Sequence, residues 1–253
     1  MVKTQRIDVY LLPSLLGATE LAGSVAVVID VLRATTTIAH AIANGAECVI
    51  PCLTIDEAKE QGSQLPDALL GGERGGQKIE GFDLGNSPAE YPADVVRGKK
   101  IIFTTTNGTK AMNACALADE IFIAAFVNLT AVCNALSEHH HVQIVCAGTE
   151  GEVTREDVLL AGAIVDQLNA GATEPLPIND QAQIALDAWQ EAKVGLTATT
   201  LADRLKQSRG GRNVLRLGQE NDIDIAATLD KLNVVPQLNP ITWEIRDSRN
   251  STP

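Results

Sequence analysis

Aromatic residues are scarce in this chain: Phe, Tyr and Trp together make up 3% of its 253 residues. A core built here must therefore be mostly Val, Ile, Leu and Ala, a mix that suits parallel strands covered by helices. Positive charge is also short, with 20 Lys and Arg against 32 Asp and Glu and a formal net charge of −12. Such a chain repels nucleic acid and anionic membranes at long range, so neither is expected as a partner. An anionic ligand would need a local positive site: a metal ion, a few arginines or helix N-termini. No apolar run approaches the ~20 residues of a membrane span, and MVKTQRIDVYLLPS lacks a charged-then-apolar signal pattern. The expectation is a soluble, cytoplasmic protein. Cysteines number five, at 48, 52, 115, 133 and 146, mostly in apolar stretches. Cys48 and Cys52 bracket Pro51 and no second pair follows, so buried thiols in a reducing compartment are expected rather than a zinc site or disulfides. No Gly-x-Ser-x-Gly elbow occurs and no Cys/His pair stands out, which leaves covalent serine or cysteine catalysis without support. His40 falls in a helical pattern and His139, His140 and His141 in a polar loop, neither of which marks a site.

What the chain does have is 45% hydrophobic residues in a regular alternation. Seven buried-strand patterns recur, at 7–12, 25–30, 47–52, 68–73, 99–106, 120–127 and 142–148, with helical spacings between several of them. After residue 153 the pattern is mostly helical, and NVVPQLNPITWEI closes the chain with one candidate edge strand. This predicts an α/β fold: a three-layer α/β/α arrangement with a largely parallel or mixed sheet and a helix-rich C-terminal third, as one domain over residues 1–253.

In open α/β sheets ligands bind beyond the carboxyl ends of the strands, so the loops there carry the chemistry. VVIDVLRATTT puts Asp30 at a strand end, where a carboxylate can hold a hard cation. Arg33 offers a planar fork to an anion, and one of Thr35, Thr36 and Thr37 is expected to cap the helix. The same stretch is equally compatible with Asp30 and Arg33 simply pairing. LLGGERGGQKIEGFDLGNSPAEY is glycine-rich around Glu73, Arg74 and Lys78, but Gln77 stands where a phosphate-binding P-loop needs lysine. Ser87 to Glu90 reads as a capping box with proline at the first helical position. In IIFTTTNGTK, Thr104, Thr105 and Thr106 lead through a tight turn at Asn107 to a helix capped by Thr109, a candidate anion cradle. In AGTEGEVTRED, Thr154 with Asp157 reads as a capping box, which leaves Glu150 and Glu152 as the metal or acid–base candidates. SRGGRNVLRLG spaces Arg209, Arg212 and Arg216 three and four apart, on one face if helical.

In their order, VVIDVLRATTTI, GGERGGQKIEGFDLGNSP, TTTNGTKA, CAGTEGEVTREDVLLAG and SRGGRNVLRLGQENDID resemble the 2-phosphosulfolactate phosphatases. The likeness covers about residues 25 to 236. The resemblance implies Mg2+-dependent hydrolysis of 2-phosphosulfolactate to sulfolactate and phosphate, a step toward coenzyme M. It implies Asp30 and Glu73 as the leading Mg2+ ligands, and Asp30, Glu150 and Glu152 as the catalytic acids. Arg33, Arg74, Lys78 and Arg212 would bind the substrate's anionic groups, and Thr105, Thr106, Asn107 and Thr109 would cradle one of them. Leu32 occupies the second acid position of the D-x-D pair familiar from aspartate-nucleophile phosphatases, which favours metal-activated water over an aspartyl-phosphate. The expected partner is a small anionic phosphorylated substrate, and a homodimer stays open. Two other readings stand beside this one: a phosphatase for another small 2-phospho acid, and a non-catalytic anionic-metabolite binder on the same fold.

Overall fold

The structure is a computed structural model that describes residues 4–17 and 20–250. The β-branched runs become strands because such side chains pack well on a pleated surface. They are β1 (Arg6–Tyr10), β2 (Val25–Ile29), β3 (Cys48–Pro51), β4 (Leu69–Arg74), β5 (Gln77–Lys78), β6 (Lys100–Thr104), β7 (Glu120–Ala124), β8 (His141–Cys146), β9 (Pro236–Leu238) and β10 (Ile245–Asp247). The helices are α1 (Ala34–Ala43), α2 (Ile55–Gln64), α3 (Ala93–Val96), α4 (Gly108–Ala114), α5 (Leu129–Leu136), α6 (Arg155–Ala170), α7 (Asp180–Lys193), α8 (Ala198–Lys206), α9 (Arg209–Arg216) and α10 (Glu220–Ala226).

All ten strands join one sheet in the order β1-β8-β2-β7-β9-β10-β3-β6-β4-β5. β1, β8, β2 and β7 pair in parallel, and so do β3, β6 and β4. The chain's end does not add an edge strand, as its sequence suggests. β9 and β10 instead form an antiparallel hairpin in the middle of the sheet, against β7 on one side and β3 on the other. Its Val235, Leu238 and Ile245 are buried there, and an edge would leave them half covered. Pro236 takes the first strand position, where its missing N–H does least harm.

Side chains alternate across each strand and so divide the sheet's faces between two helical layers. Val25, Val27 and Ile29 of β2, with Phe122 and Ala124 of β7, pack under α5 to α10. Ala26, Val28, Ile121 and Ile123 point the other way, into a core with α1 and α4 that also takes Val49, Ile101 and Phe103 from the second parallel half. α2 covers Cys48, Ile50 and Ile102 on the opposite face of that half. This is the three-layer α/β/α arrangement, with α1 and α4 shared by both halves. The carboxyl ends of β2, β4, β6 and β8 consequently open onto one cleft.

All five cysteines are buried and unbridged, and burial pushes their thiols up, Cys52 to about 12. Among the described residues no helix is long and apolar enough to cross a membrane.

Candidate active site

Asp30 comes directly after the last residue of β2, and three threonines fix the turn that carries it. The Thr35 hydroxyl accepts from the Asp30 N–H (3.1 Å) and donates to the Asp30 carbonyl (2.9 Å). The Thr36 hydroxyl donates to the Val31 carbonyl (2.7 Å) and that of Thr37 to the Asn86 carbonyl (2.9 Å). None of the three caps α1, because all three hydroxyls reach back to backbone carbonyls of the turn or of a neighbouring loop. From the far side, Asp157 accepts the Val31 N–H (2.9 Å) and the Gly148 N–H (3.0 Å), tying the end of β2 to the end of β8.

The Asp30 carboxylate itself receives no donor in hydrogen-bond geometry among the described residues, and it lines the cleft. Burial pushes it up to about 7, and the charges of Glu73 and Glu156 add to the rise. The Ala34 N–H and Arg33 nearby pull it only partly back. The start of α4 passes so close that a Cβ on Gly108 would lie 2.8 Å from Asp30 Oδ2.

Glu73 reaches the cleft from the end of β4. Gly72, at φ +135°, lets this strand lie against β6; a Cβ there would come 2.0 Å from the Thr104 carbonyl. The Glu73 carboxylate accepts the Gly76 N–H (2.6 Å), the Thr106 N–H (2.7 Å) and the Thr106 hydroxyl (3.1 Å). Thr106 and Asn107 both line the cleft. Thr106 therefore spends its donors on Glu73 rather than on an open anion cradle.

Other expected site residues lie elsewhere. Thr105 and Thr109 are buried and satisfy each other: the Thr109 hydroxyl donates to the Thr105 carbonyl (2.9 Å) and the Thr105 hydroxyl accepts the Thr109 N–H (3.2 Å). Arg74 alternates to the opposite side of β4 from Glu73, where it bonds the Leu53 carbonyl (3.1 Å) and the Thr104 hydroxyl (2.8 Å). Lys78 is exposed beside the Asp83 carbonyl (3.3 Å). Glu152 is exposed and off the cleft, its backbone closing a turn with Thr149. None of these five positions lines the cleft. Glu150 does, on the rim, and pairs with Arg209 (2.6 Å).

Arg33 does not pair with Asp30. Its buried guanidinium donates to Asp222 (2.7 Å), to Gln219 and to the Gly76 carbonyl (2.8 Å). The Ser87 hydroxyl donates to the other Asp222 oxygen (2.5 Å), so Ser87 makes no helix cap either. The network ties α1, the loop after β5 and α10 together around the cleft. The facing wall is α9, capped by Ser208, whose hydroxyl accepts the Gly211 N–H (3.0 Å). Arg209, Arg212 and Arg216 of this helix all line the cleft. Arg212 bonds the Gln207 carbonyl, and Arg216 bonds Asn213.

The cleft measures about 920 Å³. One side offers Asp30 and Glu73, the other a row of guanidinium groups, an arrangement that suits an anion bound together with a cation. Among the described residues no three acid, His or Cys side chains gather into a metal cage. Asp30 and Glu73 could hold a hard cation that draws its other ligands from water and a phosphate, as Mg2+ commonly does.

Four residues around this site escaped the sequence reading. Glu156 and Asp157 passed for helix-start acids, although Thr154 makes no cap bond. Asp222 resembles an ordinary first-turn acid of α10. Asn86, on the cleft with a buried Oδ1 that lacks a partner, gives no signal in its own letters.

The family model described as 2-phosphosulpholactate phosphatase matches residues 10–240. A protein of Symbiobacterium thermophilum named probable 2-phosphosulfolactate phosphatase is 44% identical over 222 residues, covering 87% of this chain and 93% of its own. Proteins with the same name from Pseudothermotoga lettingae and Clostridium perfringens are 41% and 35% identical; each alignment covers 91% of this chain, and 94% and 92% of the respective relative.

Proposed function

Since the chain belongs to the 2-phosphosulfolactate phosphatase family, we propose that it uses Mg2+ to hydrolyse 2-phosphosulfolactate, releasing sulfolactate and phosphate. The observation that carries this reading is the buried Asp30 carboxylate, open to a cleft whose far wall presents Arg209, Arg212 and Arg216. The substrate brings phosphate, sulfonate and carboxylate groups. Against a net charge of −12 these need local compensation, which guanidinium groups supply as paired, directional donors.

Asp30 and Glu73 would hold the ion. When bound, Mg2+ polarises the phosphoryl group and offsets its charge. Glu73 is already oriented by Gly76 and Thr106. Asp30, with unused lone pairs, also orients and deprotonates the attacking water. Arg212 and Arg216 bind the substrate's anionic groups. Arg33, locked by Asp222, keeps a cation beside the site at a fixed place. Glu150, held at the rim by Arg209, is the acid–base group for the departing oxygen. The reading carries with it a step toward coenzyme M, in a reducing cytoplasm that suits five unbridged thiols.

The test is phosphate release from 2-phosphosulfolactate beside phospholactate and phosphoglycerate, with Mg2+ and with chelator. Mg2+-dependent release that prefers phosphosulfolactate supports the proposal. Turnover of the other phospho-acids alone keeps the chemistry and changes the substrate. No release from any, with anion binding retained, favours a binding protein. Acid quench during turnover should trap no phosphate-labelled enzyme; a labelled burst would instead indicate attack by Asp30 itself.

A further inference from the structure

Glu156 and Asp157, adjacent in the first turn of α6, take no part in the chemistry above, yet both are 2% exposed. Acids there complement the helix dipole, but a dipole role requires neither burial nor a tie to a distant strand. Successive helix residues point about 100° apart, so neighbours can reach two different parts of a molecule. Asp157 reaches the strand ends and spends both oxygens there, on the N–H groups of Val31 and Gly148. Val31 is the residue after Asp30, and Gly148 begins the loop that carries Glu150. Glu156 reaches α9 instead. Its Oε1 lies where a Cβ on Gly210 would come within 2.0 Å, so a larger residue there must displace the Glu156 carboxylate or the helix.

We propose that these two acids are positioning residues that set the opposite walls of the cleft separately: Asp157 places Asp30, and Glu156 seats the arginine helix α9. The proposal rests on the functional reading to the extent that cation and anion share this cleft. Asp157→Asn turns one acceptor into a donor facing an N–H and should loosen the Asp30 turn. Gly210→Ala and Glu156→Ala should shift α9. Glu156→Gln keeps the shape and an oxygen toward Gly210.

Calorimetric titration with Mg2+ alone, and with inorganic phosphate in the presence of chelator, reads each wall without turnover, and steady-state kinetics adds the KM and kcat split. Asp157→Asn should weaken Mg2+ binding at least fivefold and lower kcat at least tenfold, with the phosphate Kd within twofold of wild type. Gly210→Ala should raise the phosphate Kd and KM at least fivefold, with the Mg2+ Kd within twofold, and Glu156→Ala should raise the phosphate Kd and KM by as much. Glu156→Gln should stay within twofold on the phosphate Kd and KM. Parallel shifts of both ligands in every variant, or lower Tm with unchanged constants, would overturn the proposal. If Asp157→Asn fails to fold, Asp157→Ser replaces it; if neither folds, Asp157 serves stability and the proposal falls. A wild type that binds both ligands but hydrolyses no phospho-acid refutes the proposed function while the titrations still decide this proposal. A wild type that binds neither refutes both.

Discussion

Asp30 directly follows a fully buried strand, and only the Ala34 N–H and nearby Arg33 offset the charge of its carboxylate. A carboxyl held near 7 in the folded chain and near 4 in the unfolded one binds a proton more tightly when folded. Its contribution to stability is thus present below about pH 4 and is lost as pH rises to about 7, on the order of 4 kcal/mol at about 1.4 kcal/mol per unit. Unfolding of the metal-free protein by urea from pH 5 to 8 should show this fall, and Asp30→Asn should flatten it. A slope unchanged by that substitution would mean that another buried acid dominates. At this scale, residues just past a strand end were legible in the sequence: Asp30, Thr106 and Asn107 face the cleft. Arg74 was misplaced because neighbouring residues of an extended strand face opposite ways, and a glycine-rich stretch hides which of the two points inward. Asp157 was misjudged because the letters of a capping box also fit an acid that reaches across to another strand.

Among the described elements, α6 and α7 share the most extensive contact. Gly162 of α6 lies where a Cβ would come 2.0 Å from the Ala185 carbonyl of α7, so the two backbones nearly touch. Gly162→Ala must push these helices apart. It should cost about 1–3 kcal/mol in urea unfolding, the usual range for overpacking, with KM little changed in the folded fraction. A neutral result would show that the helices can slide. Most elements were legible, because β-branched runs and amphipathic spacings are local signals. The central position of the β9–β10 hairpin was not: six residues of strand carry no record of their partners. Which neighbours they take is decided by the burial of Val235, Leu238 and Ile245 between the two parallel halves.

For the molecule as a whole, that hairpin is the only ladder joining β1-β8-β2-β7 to β3-β6-β4 among the described residues. One continuous sheet supports reading the chain as a single domain, which predicts one cooperative unfolding transition by circular dichroism and by fluorescence alike. A chain truncated after Leu232 should lose that cooperativity; if it unfolds as sharply as the full chain, α1 and α4 alone hold the halves together. The same convergence of both halves brings Asp30, Glu73 and the α9 arginines to one cleft, and the central claim is that this cleft removes phosphate from a small anionic ester. The most direct measurement is phosphate release from 2-phosphosulfolactate by wild type and Asp30→Asn, each with Mg2+ and with chelator. Wild type should release phosphate with Mg2+ only, and Asp30→Asn should lose at least a hundredfold, within the range for losing an acid–base group. Release that survives the substitution, in a protein that folds as wild type does, would contradict that claim.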